Sequence, residues 1–445
     1  MNGQLSDFRS FLVEAQDTLF FRDGRPFNQD DSGLAQANSL FPPLPPTMVG
    51  AFRATIARRL GWQSGDWRDL IEHWKSDPEL AKKARMLEGL GHQNESLGQL
   101  RFRGPFLIDQ TNNSTLFPCP LALAARFRSG PREKTDGVYS NNIVEMRRLA
   151  PTVAAYNLRS DLGNTTRLPQ VDCDDKSENK ADYKPLERRW ITQKGLKYFL
   201  NRTNESLRQL KHHIINAGDL WSMQSRMGLE RNHSSRAAEE GLLYQSSQIR
   251  LKDHVSLLEG IAWQQISGVP DLFSEVELTG PMPLGGESRL AWISPCAHGS
   301  LELKDLTPGL QSDGPTLRYL IATVTPSSLT GEWNRQSGSL SGLPGVIAGA
   351  CVPRPIQIGG WDSLSGGPLN AEPYLPAGAT WFMEVALAGS SEAEWKEDAR
   401  RHCDDLIAAQ AHGLGKRTAW GFGQFVIGNW KPVTGQHERT GGDES

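Results

Sequence analysis

The chain has 445 residues, 38% of them hydrophobic, with 44 glycines and 27 prolines, and its 48 Lys and Arg against 51 Asp and Glu leave a formal net charge of -3. That length predicts two or three domains, and the glycine and proline content excludes long coiled coils and helical solenoids. The charge excludes a chain that holds nucleic acid by bulk basicity and leaves a local basic groove open. Five isolated cysteines (Cys119, Cys173, Cys296, Cys351 and Cys403) with no CxxC support neither a disulfide framework nor a structural zinc. With no run of about 18 apolar residues and no apolar leader, the expectation is a cytoplasmic chain without membrane contact.

Phe8–Ala15 alternates and predicts a strand, followed by the loop DTLFFRDGRPFNQDDSG. After FPPLPP, Thr47 is expected to N-cap a helix in which Val49, Phe52, Ile56 and Leu60 share one face and Gly61 is the stop. Residues 62–100 predict a polar helical insertion, and FRGPFLI with LFPCPLALA predict two short strands around a turn at Thr111–Ser114. From Arg126 to Lys184 the composition turns polar, and DCDDKSENKAD is expected to be a mobile loop. A helical piece over Gln193–Ile215 and a polar hairpin over Ser225–Arg250 close this half.

FSEVELTG, ESRLAWIS and LRYLIATVTP predict strands, LSGLPGVIAGACVPRPIQIGGWD is rich in glycine and proline, and TWFMEVALAG is again a strand. Ser391 and Glu394 form a capping box at the head of EAEWKEDARRHCDDLIAAQ, which His412 and Gly413 end before the loop GLGKRTAWGFG and a final strand QFVIGNW. The expected class is α+β. The rhythm fits two ferredoxin-like (RRM-like) domains with insertions, at 1–270 and 271–432 with a flexible tail at 433–445, although several α+β folds share it.

The loop HGLGKRTAWGFG is the sharpest local signal. It is no Walker A motif, since Gln410 precedes and Arg417 follows where glycine and Ser or Thr are needed, and Thr418 breaks a GxGxxG. Gly413, Gly415, Gly421 and Gly423 with Lys416, Arg417, Trp420 and Phe422 suit a loop whose amides and cations hold phosphates and whose aromatics meet bases. A helix C-cap with a tight turn is the other explanation. GFGQFVIGNW approaches an RNP1 strand, with Gln424 as an extra residue and Trp420 at the basic position. Near the N-terminus, LFFRDGRPF sets Arg22 and Arg25 around a turn, and Asp23, Asp30 and Asp31 form a loop cluster of the kind that more often caps turns than binds metal. The stretch MGLERNHSSRAAEEGLLYQSSQIRL, with Arg226 just before it, holds Arg231, Arg236, Tyr244 and Arg250. It reads as a hairpin touching a polyanion or as an insertion that compensates its own charge. No Ser/His/Asp or Cys/His set assembles from spacing, and no cofactor motif is present.

In order along the chain, DTLFFRDGRPF, FPPLPPTMVGAFR, FRGPFL with LFPCPL, GLERNHSSRAAEEGLLY, LGGESR, IGGWD, LPAGATWF and GLGKRTAWGFG resemble one family. It is the third subunit of the Cmr module, a RAMP (repeat-associated mysterious protein) of type III-B CRISPR effectors. The resemblance implies two ferredoxin-like domains and a subunit without catalysis of its own or any cofactor. It implies capping of the repeat-derived 5′ tag of the crRNA, proximity to target RNA near that tag, and contact with the large polymerase-like subunit and a RAMP backbone subunit. On this reading the RNA-binding residues are Arg22, Arg25, Arg226, Arg231, Arg236, Tyr244, Gly413, Gly415, Lys416, Arg417, Trp420, Gly421, Phe422 and Gly423, with no metal ligand. The first loop, the central hairpin and the C-terminal loop are expected to share one groove. After IGGWD the family's Pro-Lys is replaced by Gly367, Pro368 and Leu369, so that cation is missing. The competing expectations are a guide-processing RAMP endoribonuclease using His412 or His233 as general acid/base, and a pure assembly subunit.

Overall fold

The computed structural model describes residues 7–22, 35–92, 96–128, 134–135, 138–139, 142–153, 166–172, 182–202, 208–231, 238–297, 301–329, 333–334, 338–362 and 366–433. It is a mixed α/β structure whose two large sheets are antiparallel throughout. The first contains β1 (Arg9–Ala15), β2 (Leu100–Asp109), β3 (Ser114–Pro118), β4 (Arg189–Thr192) and β5 (Ile214–Asn216). A long hairpin outside it pairs β6 (Trp221–Arg231) with β7 (Ala238–Leu251). The first sheet is completed by β8 (Val255–Trp263), β9 (Gly280–Pro283) and β10 (Leu290–Pro295), in the order β5-β4-β3-β2-β8-β1-β10-β9. The second sheet contains β11 (Thr316–Thr323) and β12 (Val346–Cys351), and a hairpin of β13 (Ile356–Asp362) and β14 (Gly367–Tyr374) lies outside it. With β15 (Thr380–Ala386) and β16 (Phe425–Asn429) its order is β16-β11-β15-β12, and Ser312–Asp313 extends the β16 edge.

The longer helices among the described residues are α1 (Pro45–Leu60), α2 (Trp67–Lys75), α3 (Ala81–Gly89), α4 (Gln193–Asn201) and α5 (Glu392–His412). α1 buries Val49, Phe52, Ile56 and Leu60 as their spacing predicts, and Gly61 ends it at φ 116°. Its cap differs from the expectation. Leu44 occupies the N-cap and Thr47 lies inside the first turn, because Pro45 and Pro46 have no N–H to satisfy and preset the helical φ. The helix predicted to reach Ile215 gives way to β5, which pairs with β4. FSEVELTG is not a strand. Leu272–Glu275 forms a short helix whose Leu272, with Val276 and Leu278 beyond it, sinks into the core, and sheet pairing begins only at Gly280. The capping box forms as expected, with Ser391 Oγ accepting from the Glu394 amide at 3.3 Å and Glu394 Oε2 accepting from the Ser391 amide at 3.2 Å.

Alternation along the strands lets each sheet serve two cores. Phe11, Val13, Leu257 and Ile261 turn to α1 and the α2–α3 pair, whose Trp67, Ile71 and Leu87 complete that core. On the opposite face Phe106, Phe117 and Leu258 meet Leu320, Phe382 and Val426 of the second sheet, with Leu196 and Phe199 of α4 between them. Tyr319, Ile321, Trp381 and Ile427 point away, toward Leu406 of α5. Each buried Leu or Phe contributes about 1.5–3 kcal/mol, so the shared middle core fastens the two sheets face to face.

Candidate nucleic-acid interface

α5 delivers the chain to the glycine-rich loop. The Gly413 amide donates to the Ala409 carbonyl at 2.9 Å, so Gly413 is the C-cap, and His412 is exposed at the helix end. The loop is then pinned to neighbouring backbone. Leu414 donates to Gly423 at 2.8 Å, Lys416 to Ser328 at 3.2 Å, and Gly423 to Pro326 at 2.8 Å. Gly415 (φ 81°) and Gly421 (φ 97°) are glycines for two reasons: both adopt left-handed backbone, and a Cβ at either would run into a carbonyl, that of Ser328 or of Gly104.

This geometry divides the predicted loop residues. Lys416 and Arg417 are exposed, the latter in left-handed backbone at φ 56°. Phe422 is a correction. It is wholly buried, with its ring 4.5 Å from that of Tyr374 and in a cluster with Ile358, so it offers no face to a base. Gly421 and Gly423 are buried as well, and their task is close backbone approach. Trp420 is half-buried between this cluster and the α1 core. Burial pushes the Tyr374 phenol up, and the nearby Arg417 guanidinium opposes that shift. An exposed aromatic is present that the sequence reading missed: Trp361, 62% accessible, on the β13–β14 hairpin whose Ile358 and Tyr374 pack against Phe422. IGGWD was its signal.

FPPLPP connects this region to the central hairpin. The Phe41 ring meets Trp221 at the base of β6, 4.7 Å between centroids, while Leu44 packs against the Phe422 cluster. Between them, Phe41, Pro42, Pro105, Trp190, Pro326 and Ile356 help line an apolar hollow of about 200 Å³.

The first loop and the central hairpin are joined by backbone. Leu19 and Ile249 exchange hydrogen bonds at 2.8 Å each way, and Ala35–Ala37 pairs in parallel with Tyr244–Ser246 of β7. Exposed Arg22 bridges to Ser39. Arg231 pairs with Ala238, and the Tyr244 backbone lies opposite Gly228. Arg25, Arg236, His233, Asp23, Asp30 and Asp31 lie outside the described residues. Arg226 is part of a constellation that local spacing does not reveal. Asp17 Oδ2 accepts from Arg226 at 2.7 Å and from Arg289 at 3.3 Å, and Asp17 Oδ1 accepts from Arg250 at 2.7 Å. The Arg226 hydrogen bond, joined by Arg250, holds the Asp17 carboxyl below its ordinary value against a smaller effect of burial. Among the described residues no group of three His, Cys, Asp or Glu is placed to hold a metal, and no helix is long and apolar enough to cross a membrane.

Solved structures with a similar chain include the type III-B Cmr-beta complex bound to cognate target RNA, at 14% identity and TM-score 0.40, covering 89% of this chain and 93% of that chain. The same complex with target RNA and AMPPnP, state 1, gives 13% and 0.39 over the same shares. The Csm3-Csm4 subcomplex of the type III-A CRISPR-Cas interference complex gives 9% and 0.31, covering 85% and 94%. Comparison with curated protein sequences returns no match. Residues 11–430 match the profile of the CRISPR-associated protein family Cas_Cmr3, and the chain belongs to that family, the third subunit of the Cmr complex.

Proposed function

We propose that this Cmr subunit is non-catalytic, holds the repeat-derived 5′ tag of the crRNA, and bridges the large polymerase-like subunit to a RAMP backbone subunit. The observation that carries the reading is the Lys416–Arg417 step: two exposed cations on a loop fixed at every turn by backbone contacts, in a chain of net charge -3. A rigid loop gives up little conformational entropy on binding, so two phosphate contacts there are worth more than the same cations on a free loop. Trp361 supplies an exposed stacking face on the hairpin that packs against this loop, in the role first assigned to Phe422.

The sheet orders support two ferredoxin-like units. Reading β1, β2, β8 and β10 as strands one to four gives the spatial order 4-1-3-2, and β11, β12, β15 and β16 give the same order. The first unit has its long helix, α1, after strand one, and the second has α5 after strand three. On this reading the units divide after Pro295 instead of after residue 270, since β9 and β10 belong to the first sheet. The β6–β7 hairpin suits a bridging role because its faces differ. Arg226 and Gln224 point one way and exposed Met223 and Met227 the other, where an apolar protein surface could cover them.

The test is filter retention of crRNA by complexes assembled with wild-type or Lys416→Ala/Arg417→Ala subunit, run beside a cleavage assay of guide and target RNA by the pure chain with Mg²⁺ or Mn²⁺. Lowered retention of tagged guide and no cleavage are expected. Cleavage lost on His412→Ala would select the endoribonuclease, and normal retention in the double variant would leave a pure assembly subunit.

A further inference from the structure

We propose that Asp17 is an internal stand-in for an RNA phosphate, occupying a three-arginine site that it yields when the guide arrives; this rests on the RNA-binding reading above and adds a regulatory contact to it. The site is built from three separate segments. Arg226 comes from β6, Arg250 from β7 and Arg289 from the turn before β10, and all three donate to the one carboxylate at the exit of β1.

Charge and hydrogen-bond supply both leave the site unfilled. Three guanidiniums face one carboxylate, an excess of two positive charges among the described residues. Each guanidinium has five N–H donors. Asp17 takes three hydrogen bonds from the group, Gln224 Oε1 takes one from Arg250 Nε at 3.2 Å, and the buried Arg289 Nε has no partner among the described residues. A planar carboxylate is a poor match for donors arriving from three segments. A phosphodiester brings a tetrahedral centre, two non-bridging oxygens and additional ester oxygens, with its charge spread over the non-bridging pair. Solvent reaches the cluster: the side chains of Asp17, Arg226 and Arg250 are 45%, 39% and 48% accessible.

The arginines stay assembled without Asp17. Leu19 and Ile249 are backbone-paired, Thr18 Oγ1 donates to Gln248 Oε1 at 2.5 Å, and the Gly286 amide donates to the Phe20 carbonyl at 2.8 Å. These contacts fasten the β1 exit, the hairpin and the Arg289 turn to one another. Asp17 therefore acts as a competitor rather than a strut. Because the arginines keep it ionised at neutral pH, another anion must displace it, and protonation does not release it. Its presence also blunts non-specific capture, since a weak anion has to outcompete a carboxylate that is already in place.

The experiment is binding of a 3′-fluorescent single-stranded RNA carrying the repeat-derived 5′ tag to the full chain, as a function of salt, for wild type, Asp17→Asn, Asp17→Ser and Arg289→Ala. Melting curves verify the fold. Displacing exposed ion pairs costs little, so Asp17→Asn should tighten binding at low salt by roughly twofold to tenfold. It should also steepen the slope of log affinity against log salt by roughly 0.7, as one more phosphate contact is made without competition. Arg289→Ala should weaken binding and flatten the slope. RNAs with and without a 5′-phosphate separate a terminal phosphate from an internal diester, and polyglutamate competition tests an acidic protein partner. Folded Asp17→Asn and Asp17→Ser proteins that bind RNA no tighter than wild type would overturn the stand-in while leaving RNA binding intact. Tighter polyglutamate binding without tighter RNA binding would assign the site to protein and overturn it too. Failure of every variant to bind RNA would remove the RNA reading and this one together.

Discussion

Gln424 Nε2 donates to the carbonyl of Phe102, 3.1 Å away and 322 residues distant in sequence, so the residue that breaks the RNP1-like spacing ties the glycine-rich loop to the first sheet. Its own amide donates to Thr325 Oγ1 at 2.9 Å. Gln424→Ala keeps the backbone bond and leaves the Phe102 carbonyl without this donor. The expected cost is about 1–3 kcal/mol, the usual penalty for an unsatisfied buried polar group. Chemical denaturation of the pure chain measures it, and a loss below about 0.5 kcal/mol would mean the sheets are held by their shared core alone.

Gly421 and Gly415 should behave as packing residues even in the absence of RNA. A Cβ at Gly421 would lie 2.6 Å from the Gly104 carbonyl oxygen, and φ at both positions is positive. Gly421→Ala and Gly415→Ala are expected to destabilise the isolated chain by more than about 1 kcal/mol each. Thermal melts without RNA check this. Unchanged melts combined with lost guide retention would move both glycines to the RNA side of the loop.

The elements legible in the sequence are those closed by local hydrogen bonds and short periodicity. α1 follows from Val49, Phe52, Ile56 and Leu60, and the head of α5 from Ser391 and Glu394. FSEVELTG misled because its apolar residues alternate well enough for a strand, while the core takes Leu272, Val276 and Leu278 without sheet pairing. In the site, the glycine-rich loop was visible as a loop and its Lys416–Arg417 step as exposed charge. That Phe422 is core was not, because its partner Tyr374 lies on a hairpin 48 positions earlier. The Asp17 cluster joins residues 209, 233 and 272 positions apart, and only the hairpin register with the Leu19–Ile249 bridge brings them together.

Lys416 and Arg417 should separate binding from folding. Lys416→Ala/Arg417→Ala removes two exposed cations, so stability should change by less than about 0.5 kcal/mol, while the salt dependence of RNA binding should flatten by roughly 1.4, about 0.7 for each phosphate contact on a single strand. Arg417 adds a sharper contrast, since its left-handed backbone at φ 56° is costly for any residue with a Cβ. Arg417→Gly should therefore raise the melting midpoint while lowering RNA retention. Both quantities moving in the same direction would assign Arg417 to the fold.

Glu259 is expected to make stability fall as pH rises from 5 to 8. It lies in the middle of β8, opposite Phe11, 1% accessible, and neither carboxyl oxygen has a hydrogen-bond partner among the described residues. Burial pushes its carboxyl well above the ordinary glutamate value, so the folded state binds a proton that the unfolded state has released. For a group raised on folding, its stabilising contribution is complete below the unfolded value, about 4.3, and is lost as pH climbs toward the folded value. The slope from one proton is at most about 1.4 kcal/mol per pH unit. Asp17 and Glu384 run the opposite way, with carboxyls lowered on folding, and their contributions are lost only on acidification below the ordinary carboxylate range. His213 is lowered on folding, mainly by burial, and it is common to wild type and Glu259→Gln, so its contribution cancels in their difference. Glu259→Gln keeps the side-chain shape and cannot ionise. Its advantage over wild type should therefore widen as pH climbs above the ordinary glutamate value, in urea midpoints measured from pH 5 to pH 8 on the pure chain, and two parallel pH curves would mean that folding does not raise the buried carboxyl.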